Sequence, residues 1–312
     1  MSDPIILFFI FGFLASLLKS DLKLPPQIYD LLSIVLLLTI GMKGGVELAK
    51  QPFIELVPQL FVVLLIGFIL PLLLFPVLKY LGKFNRDDAA SIAAHYGSVS
   101  VGTFAVAIAY MNSMDIVFEE YVSVFVVILE IPAIIVGILL ARGIRKDMPW
   151  GKIGHEIFLG KGVVLLIGGL IIGWIAGPDG VTKIKPLFFD LFSGILALFL
   201  LEMGLITARQ LGSLRSYGPF LVLFGVITPV CLSLIGISVG LLLGLSVGGA
   251  SILGTLTASA SYIAVPAAMR ISVPGANPTL SLSASLGVTF PFNVLVGIPL
   301  YYLIAKQLNT IL

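Results

Sequence analysis

Two stretches of this 312-residue chain gather hydroxyl side chains beside residues that interrupt helices. The first holds Ser98, Ser100 and Thr103 around Gly97 and Gly102. The second runs Ser259, Ala260, Ser261, Tyr262 and is followed by Pro266. Glycine admits backbone conformations costly to other residues, and proline lacks an N–H and clashes with the carbonyl four residues earlier, so each stretch is expected to break a helix. A broken helix frees N–H groups on one half and carbonyls on the other. N–H groups at a helix start carry about half a positive charge and suit a small anion. The serine and threonine hydroxyls can donate to its oxygens and accept from its own proton. The candidate substrate-binding set is therefore Gly97, Ser98, Ser100, Gly102, Thr103, Ser259, Ala260, Ser261 and Tyr262. The freed carbonyls and the same hydroxyls also make hard oxygen ligands with no thiol or imidazole among them, which points to Na+ rather than a transition metal. Ser100, Thr103 and Ser261 are the candidate Na+ ligands.

Glu130 and Glu202 fall inside apolar runs. Acids there are functional by default, and coupling or gating stands beside the plainer role of a hydrogen bond between helices. His95, one turn before Gly97, is expected to bond to a neighbouring helix. Enzymatic chemistry finds no support. The run from Gly97 to Gly102 misses the spacing of a G-x-S-x-G elbow, there is no H-E-x-x-H, and no Cys/His cluster or phosphate-cradling loop is present. His95 stands three residues from Ser98 on one helix and cannot face it as a serine protease base would. Neither a catalytic residue nor a cofactor is expected, only Na+ as coupling ion. The single cysteine, Cys231, excludes an intrachain disulfide and is expected as a buried packing thiol.

The elements that must position these residues are membrane spans. At 59% hydrophobic and 11% charged residues, with a mean hydropathy of +1.14, a soluble domain could not bury so much apolar surface. A removable signal peptide is not expected. The net charge of +2 implies no nucleic-acid partner. Ten spans of about 20 residues each can be placed. They lie near 4–19, 27–42, 54–82, 87–111, 119–142, 160–178, 186–207, 217–244, 248–271 and 279–306. The chain is also duplicated: residues 23–33, KLPPQIYDLLS, return 160 positions later as KIKPLFFDLFS, and Ala90-Ser91-Ile92 meets Ala250-Ser251-Ile252 at the same offset. Five spans per repeat is odd, so the second repeat enters from the opposite face. The halves are inverted repeats, 1–142 and 160–312, joined by a charged loop, 143–159. In membrane carriers such repeats enclose a central site. Alternate loops put most Lys and Arg on one side and only Lys43, Lys50, Lys183, Lys185 and Lys306 on the other. By the positive-inside rule the first side is cytoplasmic and both termini lie outside the plasma (inner) membrane. The glycine runs 169/173/177 and 236/240/244/248 are expected to pack helices closely.

The span-four core YGSVSVGTFAVAIA, the run LEIPAI at 129–134 and the stretch ASASYIAVPAAMRISVPGANP together resemble the sodium-dependent bicarbonate transporter (SbtA-like) family over essentially the whole chain. The pattern Pro266, Arg270, Pro274, Ala276, Asn277, Pro278 is the most specific part. The resemblance implies an all-α membrane protein of ten helices in two inverted five-helix repeats, with helices four and nine broken and crossing. It further implies a homotrimer, an elevator-type movement of a core domain against a gate domain, and Na+-coupled uptake of bicarbonate. Three positions depart from the cyanobacterial pattern: Tyr262 replaces an aspartate, Ala264 a serine, and Gly102 a serine. The joining loop is short beside those of cyanobacterial members, which argues against the family's PII-like regulatory protein as a partner. Two alternatives stand beside bicarbonate. One is another small anion, such as an organic carboxylate, on the same fold; the other is a receptor or scaffold that transports nothing.

Overall fold

The computed structural model describes residues 3–50, 53–143, 150–214 and 217–311. In chain order the helices are α1 Pro4–Leu17, α2 Pro26–Lys50, α3 Phe53–Pro76, α4 Arg86–Gly97, α5 Val101–Ser113, α6 Ser123–Arg142, α7 Trp150–Leu159, α8 Lys161–Gly180, α9 Phe192–Leu214, α10 Pro219–Leu242, α11 Val247–Thr257, α12 Ala264–Ser272 and α13 Pro278–Leu308. No strand occurs among the described residues. Eight segments, counting 86–113 as one, are long and apolar enough to cross a membrane, and α1 and α11 are apolar but shorter. Residues 150–159 of the expected joining loop are helical. Arg145, Lys146 and Arg215 lie outside the described residues.

Local sequence explains where the helices start. Asp3, Asn85, Ser246 and Asn277 each turn a side-chain oxygen onto an N–H of the first turn, and Pro4 and Pro278 occupy first positions where an N–H would have no partner. Helix α13 has π-helical turns at Ser285–Thr289 and Asn293–Gly297, and each runs up to a proline, Pro291 or Pro299. The wider turn relieves the clash of the ring with the carbonyl behind it.

Two close pairings organise the packing, α1 along α9 and α2 along α8. Both depend on glycine. A Cβ at Gly169 would meet the Leu38 carbonyl at 2.6 Å, and Gly41, Gly45 and Gly173 are just as closely faced by backbone. Along α2, residues 38–41 meet 166–169 and residues 42–45 meet 170–174, so α2 and α8 run parallel. Lys161 at the start of α8 pairs with Asp30 in the first turns of α2 at 2.8 Å, which fixes the same direction. Gly236 and Gly240 lie against α11 in the same manner. Gly177 does otherwise: its φ of 62° kinks α8.

Burial sorts the helices. The apolar stretch of 86–113 is 100% buried, against 33% for 54–81 and 28% for 161–183. The broken helix is therefore central, and the outer helices present Phe61, Leu72, Ile171 and Ile175 to the surroundings, as a chain solvated by lipid must. Cys231 belongs to that outer surface. The expectation of a buried thiol is corrected, because its side of α10 faces outward.

Candidate functional site

Both hydroxyl-rich stretches break their helices. One helix ends at Gly97 and resumes at Val101; the other ends at Thr257 and resumes at Ala264. The two gaps meet and exchange hydrogen bonds. Ser261 N–H donates to the His95 carbonyl at 2.8 Å, and Ser100 N–H donates to Ser259 Oγ at 2.9 Å. Each gap thus satisfies a backbone group that the other has freed, which is the condition for irregular backbone away from water.

Ser98, Ser100, Thr103, Ser259, Ser261 and Tyr262 are all buried at this crossing, yet their protons are not equally free. Ser259 Oγ donates to the Leu256 carbonyl at 2.7 Å, and Thr103 Oγ1 donates to Ser100 Oγ at 2.9 Å. Ser98 Oγ reaches the Glu130 carbonyl only at 3.5 Å. Ser100 Oγ caps α5 by accepting from Thr103 N–H at 3.0 Å, and Ser261 Oγ accepts from Val265 N–H at 3.4 Å. Ser261 therefore keeps a hydroxyl proton for a ligand, whereas that of Ser100 lies toward the Tyr262 hydroxyl.

The glycines serve the crossing differently from expectation. Neither Gly97 nor Gly102 has a positive φ. A Cβ at Gly97 would lie 2.6 Å from the Pro71 ring of α3, so the residue is small because α3 packs there. At Gly102 a Cβ would meet the Tyr262 hydroxyl and the Phe199 ring. Tyr262 itself stands edge-on to Phe290 at 5.5 Å, and its hydroxyl has no well-aligned partner. Gly102 and Tyr262 are hence in contact, the tyrosine filling the space the glycine leaves. Pro266 falls in the first turn of α12, where its missing N–H costs nothing.

Of the two acids, Glu130 comes to the crossing and Glu202 does not. A space of about 10 Å³ is lined by Ser100, Glu130, Ser261 and Tyr262, and Glu130 Oε2 is buried without a partner. Glu202 lies on α9 near Arg209 and the Leu24 N–H, away from the two gaps, and its Oε2 is likewise buried without a partner. His95 turns Nδ1 to the Ser91 carbonyl of its own helix at 2.7 Å, not to a neighbouring helix, and Nε2 has no partner.

Sequence reasoning missed Asn293. Its Nδ2 donates to the Ala258 carbonyl at 2.9 Å, capping the broken end of α11, and Tyr301 holds its Oδ1 at 2.7 Å. The signal was there: Asn293 is the one amide in an apolar run. Tyr96 was also missed; its hydroxyl and Thr289 Oγ1 lie 2.6 Å apart, joining α4 to α13.

The family model of the Na+-dependent bicarbonate transporter superfamily matches residues 4–306, nearly the whole chain. Among curated proteins none matches.

Proposed function

The chain belongs to the Na+-dependent bicarbonate transporter superfamily, and from that premise we propose that it carries HCO3− into the cell together with Na+, both held where the two broken helices cross. The observation that carries this reading is the reciprocal bonding of the gaps beside an unpartnered carboxylate. Glu130 and Ser261 offer hard oxygens around a water-sized space, which fits Na+ and excludes soft metals, while Ser100 Oγ already accepts from both Thr103 N–H and Thr103 Oγ1–H. Here this reading differs from the spacing-based set, for Thr103 is committed to Ser100 and Glu130 joins instead. The anion lies against the first turn of α5, held by N–H groups and by the protons of Ser261 and Ser100, the latter released once Tyr262 moves off it. Bicarbonate has four heavy atoms and needs more room than about 10 Å³. Tyr262 must therefore withdraw from α5 for the anion to bind, and it acts as the gate of the site.

The packing supports ten crossings in inverted repeats. If α2 and α8 run parallel, α1 and α8, the first helices of the two halves, run opposite ways. Helices α1, α2, α8 and α9 pair with one another and form the gate; α3–α6 and α10–α13 form the core that moves against it. The charge asymmetry places both termini outside the plasma membrane, and the lipid-like outer surface leaves room for a homotrimer.

Binding tests this without transport. In purified protein, bicarbonate raises the Tm only when Na+ is present, and Glu130→Gln abolishes that shift at the same Na+ concentration. A bicarbonate shift of equal size in choline would contradict a shared site.

A further inference from the structure

The Lys43 ammonium lies 4.5 Å from the centre of the Phe192 ring, between α2 and α9. It forms no ion pair among the described residues, where Lys50 takes Glu47 and Lys161 takes Asp30. A partly buried ammonium that faces an aromatic ring and touches no carboxylate retains its attraction for an anion. The cavity before it, about 30 Å³, is walled on the far side by Phe104, Ile108 and Asn112 of α5, one every fourth residue. Phe104 directly follows Thr103, so this wall leads from exposed Asn112 to the crossing. Glu120, the acid of the cavity wall, is exposed at the rim, where it shares the fields of Lys43 and Lys50 with Glu47. Lys43 is thus the cation on the buried side.

We propose that Lys43 forms an anion station between α2, α5 and α9, which takes a small monovalent oxyanion on its way to the crossing point. The station rests on the anion-carrier reading above. Lys43 and Phe192 sit on the gate helices α2 and α9, so the ammonium stays in place while its α5 wall moves with the core.

Thiol chemistry tests it. In a Cys231→Ser, Asn112→Cys protein, anionic and cationic methanethiosulfonates report the local potential by their relative rates. Lys43 should favour the anionic reagent, Lys43→Gln should lower the anionic-to-cationic ratio about tenfold, and Lys43→Arg should keep it. In the parent alone, raising ionic strength from about 0.02 to 0.5 M should shrink the ratio, an arm that needs no Lys43 variant to fold. In uptake, Lys43→Gln should raise the KM for bicarbonate about tenfold, with kcat within about twofold. A ratio unchanged by both Lys43→Gln and salt overturns the station. A ratio that falls in a protein unable to take up bicarbonate keeps the station and removes the transport reading.

Discussion

Ser261 and Ser259 are two residues apart and do different things. Ser261 keeps a free proton, whereas Ser259 spends its own on Leu256 and accepts Ser100 N–H. A hydrogen bond to a charged group is worth about 1.5–3 kcal/mol, so Ser261→Ala should raise the KM for bicarbonate about ten- to a hundredfold, with a smaller loss of Tm than Ser259→Ala because its bond from Val265 N–H is long at 3.4 Å. Ser259→Ala leaves a buried N–H unpaired, at about 1–3 kcal/mol, and should lower the Tm by several degrees. Ser238→Ala, outside the crossing, should change neither. Equal kinetic losses in the 259 and 261 variants, at unchanged Tm, would erase the distinction. Gly102 and Tyr262 form a second pair. Gly102→Ser should fail alone, because its side chain collides with the tyrosine hydroxyl, and should recover when combined with Tyr262→Ala. Thermal melts of the four proteins of this cycle should give a coupling of about 1–3 kcal/mol; additive losses would show that the residues do not meet.

At the scale of elements, the sequence revealed the breaks and misjudged their cause. Hydroxyls and breakers halfway along 87–111 and 248–271 located both gaps, because such residues are out of place on a lipid-facing helix. Gly97 and Gly102 were read as sources of unusual dihedrals, but close approach to Pro71 and Tyr262 explains them, and spacing cannot show which helix comes near. Asn293 went unread for the same reason: its partner Ala258 is 35 residues away. The π-helical turns that aim Asn293 at α11 leave no periodicity in the sequence beyond their prolines. The glycine spacing 169/173 did show a backbone-close face, and its partner is now α2. Gly173→Val forces that backbone contact apart, and should lower the Tm by several degrees or prevent a monodisperse preparation, while Gly168→Val, where nothing lies within 4 Å, should be silent. Equal tolerance at both positions would count against the α2–α8 pairing.

For the whole molecule, duplication and charge asymmetry predict an orientation. In a Cys231→Ser background, Asn309→Cys should react with an impermeant maleimide in intact cells, and Lys83→Cys only after permeabilisation. The reverse pattern would invert the protein in its membrane. The gradients set the direction of net transport, and coupling to Na+ supplies the driving force for uptake. A lone anion entering an inside-negative cell is opposed by about 2.3 kcal/mol per 100 mV, and one Na+ carried with each HCO3− removes that opposition over the cycle. A tenfold Na+ gradient then supplies about 1.4 kcal/mol. The most direct measurement is uptake of labelled bicarbonate into proteoliposomes carrying an inward Na+ gradient, with voltage set by K+ and valinomycin and protein-free liposomes as the control for CO2 diffusion. Uptake should require Na+ and proceed at the same rate at zero and at about −100 mV. Uptake above the control that continues unchanged without Na+ would contradict the account.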